Sequence, residues 1–150
     1  ANSDMKLSIS EIINTAAALP SKQEKINFLK ANDSMPVRQM LRVMYDPKVE
    51  WLLPDSPPPW KKNNYNDVEG MFYKETRRLR LFLKDGGYDQ HYTTPQGRVK
   101  FENLFISLLQ DIDNNDADLL AYALTKKPVK GLTEATLLAA YPGLFETKLA

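Results

Sequence analysis

Helix-start signatures recur along this chain, and they constrain its fold more than any other feature. Ser8-Ile9-Ser10-Glu11 can close a capping box, in which the serine oxygen takes the third helical N–H and the glutamate reaches back to the serine's own N–H. Ser21-Lys22-Gln23-Glu24 repeats the pattern, and Asn66 with Glu69 forms another. Ser34 followed by Pro36 is a further start, since a proline in the first turn gives up no helical hydrogen bond. Behind these starts apolar residues return at helical spacing: Ile9, Ile12, Ile13 and Ala16; Ile26 and Leu29; Val37, Met40, Leu41 and Met44; Val68, Phe72, Leu79 and Leu83. There is no run of strands, no internal repeat and no heptad series. The expected fold is all-α, a single compact domain of six or seven helices.

The breaks place the boundaries. Pro20, Asn32-Asp33-Ser34 and Asp46-Pro47 end the first three helices. Asn66 is expected to cap the longest helix, about Asp67 to Lys84, with Gly86-Gly87 providing a residue free to take positive φ. Tyr88 to Gly97 reads as a polar, Tyr-rich loop or hairpin-like excursion. A helix from Arg98 to Gln110 turns Phe101, Leu104, Phe105, Leu108 and Leu109 inward. Asp113-Asn114-Asn115 reads as a turn, with Asn115 or Asp116 starting a helix through Leu120, Ala123 and Leu124. Residues 1–4 read as a cloning remnant ahead of a natural Met5, and residues 5–150 as one domain with a Pro-rich loop over 46–66. Within that loop Trp51-Leu52-Leu53 can form a short extended piece, while Pro54 and Pro57-Pro58-Pro59 exclude regular structure. A linker between two domains fits less well than a crossing loop pinned by Trp51 and Trp60, because the flanks are short for separate domains.

Several chemistries find no support. The chain has no cysteine, which removes disulfides and thiolate ligands and suits a reducing cytoplasm. Asp111 to Asn115 mimics the start of a calcium loop, but Asp116 stands where glycine is required and Tyr122 where a bidentate glutamate is required. His91 is the only histidine and reads as a solvated loop residue. No catalytic set, metal site or cofactor-binding motif is expected. No apolar run approaches the ~20 residues of a membrane span, and no signal peptide is visible.

One stretch remains with a chemical reading: Lys126-Lys127-Pro128-Val129-Lys130-Gly131-Leu132-Thr133, ahead of a helix from about Glu134 to Ala140. Thr133 can cap that helix, whose first N–H groups lack internal partners. An anion such as a phosphate could approach closely at Gly131, which has no side chain. The plainer reading is an ordinary capped helix behind a wet, lysine-bearing loop.

Two blocks extend the phosphate reading. The first runs from Ile9-Ser10-Glu11-Ile12-Ile13 through Ser21-Lys22-Gln23-Glu24-Lys25 and Phe28-Leu29 to Leu41-Arg42-Val43-Met44-Tyr45. The second runs from Asp116-Ala117-Asp118-Leu119-Leu120 through Lys130-Gly131-Leu132-Thr133 to Ala140-Tyr141-Pro142-Gly143-Leu144. At the two ends of the chain and in this order, over about half its length, they resemble the N-terminal helical DNA-binding domain of small viral ATP-dependent DNA ligases of the T-even phage type. That resemblance implies a ligase-like helical domain, standing alone as a phage protein and gripping duplex DNA by its backbone. By position it implicates Ser21, Lys22, Lys130, Gly131 and Thr133; Lys126 and Lys127 add charge, and Arg77, Arg78 and Arg80 form a weaker basic group. It implies no enzyme, since a ligase also needs a Lys-x-Asp-Gly nucleophile motif and Lys84-Asp85-Gly86 lacks the spacer. The expected partner is double-stranded DNA, bound without sequence preference in phage replication or repair, in the host cytoplasm, with no cofactor and no membrane. Against it stands the net charge of +1, which favours a helical module that binds a phage or host protein instead. Changing Lys126, Lys127 and Lys130 together to glutamate is expected to abolish DNA binding and leave the fold intact.

Overall fold

Local caps build most of the architecture. The computed structural model describes residues 7–62 and 71–146. Residues 1–4, read above as a remnant, Met5 and the cap expected at Asn66 and Glu69 lie outside the described residues. Among the described residues seven α-helices form: α1 (Ile9–Ala18), α2 (Lys22–Ala31), α3 (Met35–Tyr45), α4 (Met71–Glu75), α5 (Pro95–Asp111), α6 (Asn114–Ala123) and α7 (Glu134–Ala140). The described residues contain no sheet, and one hydrophobic core joins the helices. Ser8 closes its capping box with Glu11, and the apolar face of α1 is fully buried. Ser34 caps α3 with proline in its first turn, and Val37, Met40, Leu41 and Met44 turn inward. At Ser21 only half the box forms: its oxygen accepts the Glu24 N–H, and exposed Glu24 does not return the bond.

The long helix expected up to Lys84 does not form as one element. α4 gives way to a 3-10 segment over Thr76–Phe82. Its buried residues are Thr76, Leu79 and Phe82, spaced by three, which suits a helix of three residues per turn. Leu83 then turns extended and pairs with Trp51 in an antiparallel bridge, with Leu52 N–H donating to the Phe82 carbonyl at 2.8 Å and Lys84 N–H to that of Glu50 at 2.9 Å. Of the extended piece expected over Trp51-Leu52-Leu53, only Trp51 enters a bridge, and the chain bends at Leu52 and Leu53. Asp85 and Gly87 both take positive φ as the chain turns away.

The segment read as a loop from Tyr88 holds a 3-10 turn, Asp89–Thr93. Thr94 and Pro95 then start α5 earlier than expected, with the Thr94 oxygen accepting the Gly97 N–H at 3.1 Å. His91 is exposed but stacks on Phe101, ring centroids 5.0 Å apart. α6 begins at Asn114, not at Asn115 or Asp116, because Asp113 is the cap and accepts the Asn115 N–H. Trp51 and Trp60 pack against the core from the Pro-rich loop, and the Trp51 indole donates to the Ala123 carbonyl at 3.1 Å.

Asp116 ties two helix starts together. It lies in the first turn of α6, is 1% exposed, and accepts the Ser10 N–H of α1 at 2.9 Å. Its second oxygen has no partner among the described residues. Burial pushes its carboxyl up; the Ser10 hydrogen bonds oppose this, and Asp113 and Glu11 reinforce it. Tyr73 also feels its charge. A raised folded-state value means that its contribution is present below the unfolded carboxylate range and lost as pH rises through the folded value. Asp116→Asn should therefore be at least as stable as the wild type at pH 7, with the advantage shrinking toward pH 3. Urea unfolding at both pH values checks this; a marked loss at pH 7 would show that the ionised form is the one the fold favours.

Candidate nucleic-acid interface

α2 and α7 lie side by side and run the same way. At one end the Lys25 ammonium donates to the Gly131 carbonyl just before α7, and to the Ala17 carbonyl of α1 at 3.2 Å. At the other end the Tyr141 hydroxyl, just after α7, donates to the Leu29 carbonyl of α2. The order of the contacts, 25 to 131 and 29 to 141, makes the helices parallel. Their starts therefore share one edge of the molecule.

At that edge Ser21 and Thr133 act as caps: Ser21 accepts from Glu24 N–H and Thr133 from Thr136 N–H. The N–H groups of Lys22 and Gln23, in the first turn of α2, have no intrahelical acceptor. Between Val129 and Leu132 the chain makes a tight turn closed by a 3.0 Å hydrogen bond, with Lys130 and Gly131 at its centre and Gly131 at φ 89°. Around this turn most acceptors are spent, though the Lys130 carbonyl at its centre has no partner among the described residues. The Pro128 carbonyl takes the Tyr122 hydroxyl, the Leu132 carbonyl takes that of Tyr45, and the Gly131 carbonyl takes Lys25. The N–H groups of Lys130, Gly131 and Thr133 have no acceptor among the described residues. The exposed backbone here therefore presents mainly donors. Lys22, Lys127 and Lys130 are exposed and form no ion pair among the described residues, while Glu24 and Glu134 in the two first turns offset part of their charge.

Two expected contacts are used by the fold instead. The Lys126 ammonium points inward and donates to the carbonyls of Val43 and Asp46 at 2.9 and 2.8 Å, holding the C-terminal end of α3. Burial pulls its pKa down, against the pull of Asp46 and Glu50. It is thus no free cation for a ligand, and the triple change that includes Lys126 is expected to destabilise the fold as well. Packing on α1 by itself requires glycine at 131: a Cβ there would lie 2.3 Å from the Ala17 carbonyl oxygen.

The arginines belong elsewhere. Arg77, Arg78 and Arg80 stand on the 3-10 segment, which packs chiefly on α4, α3 and α5. Arg78 pairs with Glu75 at 3.0 Å, Arg80 stacks over the Tyr88 ring at 5.7 Å, and Arg77 is exposed. Lys25, the residue that binds the two starts together, carries no local sequence signal for that role. Beside the turn lies an open cleft of about 570 Å³, lined by Met44, Tyr45, Pro47, Val129, Lys130 and Thr133 among others. Among the described residues no group of three or more His, Asp or Glu side chains is placed to hold a metal ion, and no helix is long and apolar enough to cross a membrane.

The chain matches, over residues 12–129, the family described as Family of unknown function (DUF6433), and it belongs to that family. No curated protein and no solved structure matches it.

Proposed function

We propose that this member of the family is a non-catalytic module that binds duplex DNA through its phosphate backbone. The observation that carries the reading is the Lys25 ammonium on the Ala17 and Gly131 carbonyls. It fixes two helix starts at one edge and occupies an acceptor that would repel a phosphate. The donors left at that edge, with Lys22, Lys127 and Lys130, suit an anionic strand. The resemblance of the two end blocks to the viral ligase DNA-binding domain supports the same reading, and a role in phage DNA replication or repair follows from that resemblance alone. α7 is a single short helix of seven residues, so its dipole adds little, and the lysines and turn amides carry the contact.

Only a few cations contribute, so binding is weak and salt-sensitive. About three phosphate contacts predict a slope near −3 for log K against log salt, from roughly 0.9 per contact. Fluorescence anisotropy with a labelled 20-base-pair duplex at low salt should show saturable binding in the tens of micromolar or tighter. Lys22, Lys127 and Lys130 changed together to glutamate should abolish it and leave the circular dichroism spectrum unchanged. No binding by the wild type, or equal binding by the folded triple variant, overturns the proposal.

A further inference from the structure

A second cleft, of about 440 Å³, adjoins the one beside the Gly131 turn and shares Tyr45, Pro47 and Lys126 with it, but its charged rim is opposite. Tyr45, Pro47, Trp51, Leu53 and Leu124 line it, with Glu50 and Asp55 as its acids. Lys126 also lines it, but that ammonium is spent on the Val43 and Asp46 carbonyls, so its stem contributes apolar surface. Asp55 is exposed and has no ion pair among the described residues. Glu50 meets Lys84 at 3.2 Å, but both side chains are more than half exposed, so a competing cation displaces Lys84 at little cost. A polyanion is disfavoured here.

The backbone along this cleft adds a second observation. Trp51 and Leu83 form a bridge in which their neighbours exchange the hydrogen bonds: Leu52 with Phe82, and Glu50 with Lys84. In that arrangement the N–H and C=O of Trp51 itself point to the opposite edge. Neither has a partner among the described residues, nor has the Leu53 N–H. Val49, Trp51 and Leu53 all line the same cleft, and the chain bends at Leu52 and Leu53. The unpaired backbone groups of Trp51, the apolar lining and the acidic rim together specify one kind of occupant.

We propose that this cleft binds an extended, basic peptide segment of a partner protein by adding it as a strand beside Trp51. Main-chain bonds to Trp51 hold the segment, an aliphatic side chain fills the space between Tyr45 and Leu53, and an arginine or lysine meets Asp55 and Glu50. This site is separate from the DNA edge and does not depend on it.

The test uses the whole chain, isotope-labelled, and an acetylated, amidated hexapeptide alternating arginine and leucine. Titration should move the amide resonances of Trp51 and Leu53 in a saturable way and change Trp51 fluorescence. The same peptide with glutamate in place of arginine should bind at least tenfold more weakly. Glu50→Lys with Asp55→Lys, both exposed positions, should reverse that preference without unfolding the protein. The Lys22, Lys127 and Lys130 glutamate variant should bind the arginine peptide as the wild type does, which separates this site from the DNA edge. Absence of saturable shifts at millimolar peptide, shifts located away from Trp51, or no change of preference in the charge-reversed variant overturns the proposal.

Discussion

Gly131→Ala is expected to destabilise the protein by about 3 kcal/mol or more, a large effect for the addition of one methyl group. Two costs combine. The residue sits at φ 89°, where a side chain is strained by ~1–3 kcal/mol. The new Cβ would also lie 2.3 Å from the Ala17 carbonyl oxygen, a backbone atom that cannot swing aside as a side-chain tip could. Overpacking of this kind costs ~1–3 kcal/mol. Relief requires α1 and the turn to separate, which breaks the Lys25 bridge and frees the two helix starts from each other. Gly131→Ala should therefore lose DNA binding beyond what lost stability explains. Urea unfolding gives the first quantity and anisotropy at a temperature where the variant is folded gives the second. A variant as stable as the wild type contradicts the packing described for the turn.

Lys126→Glu is the second large effect, and it reverses the expectation that this lysine can be changed freely. The ammonium holds two carbonyls at the end of α3, each a charge-assisted bond worth ~1.5–3 kcal/mol. A carboxylate in its place faces the same carbonyls, the negative end of α3, and the buried Asp46 carboxylate. The expected loss is about 4 kcal/mol, a large part of the ~5–15 kcal/mol stability of an ordinary domain. Lys126→Met should cost less, since it keeps the apolar stem and removes a charge that burial already disfavours. Thermal unfolding of both variants measures the difference. Variants as stable as the wild type would show that the ammonium contributes nothing to the end of α3.

The same two residues show what a sequence can and cannot reveal. Caps are local, so Ser8, Ser21, Ser34 and Thr133 could be read from a few neighbouring letters, and the all-helical fold followed from them. The Thr94-Pro95 start carried the same kind of signal but was masked by the tyrosines before it. The 3-10 segment was hidden for a different reason. Over two turns a spacing of three, as in Thr76, Leu79 and Phe82, resembles the helical spacing of Phe72, Leu79 and Leu83. The inward turn of Lys126 and the contact between Gly131 and Ala17 join segments far apart in the chain, and no local pattern encodes them. Of the residues singled out around the edge, the structure leaves Ser21 and Thr133 as caps and leaves Lys22, Lys127 and Lys130 as exposed cations. It gives Lys126 and Gly131 to packing, and places the arginines on another element.

Mapping a bound duplex onto the backbone amides tests the proposed interface most directly. With a 20-base-pair duplex added at low salt, the resonances of Lys22, Gln23, Lys130, Gly131 and Thr133 should shift together, saturate together, and return as salt is raised. Shifts that fall along Trp51 to Asp55 instead, or none at the paired starts of α2 and α7, contradict the account.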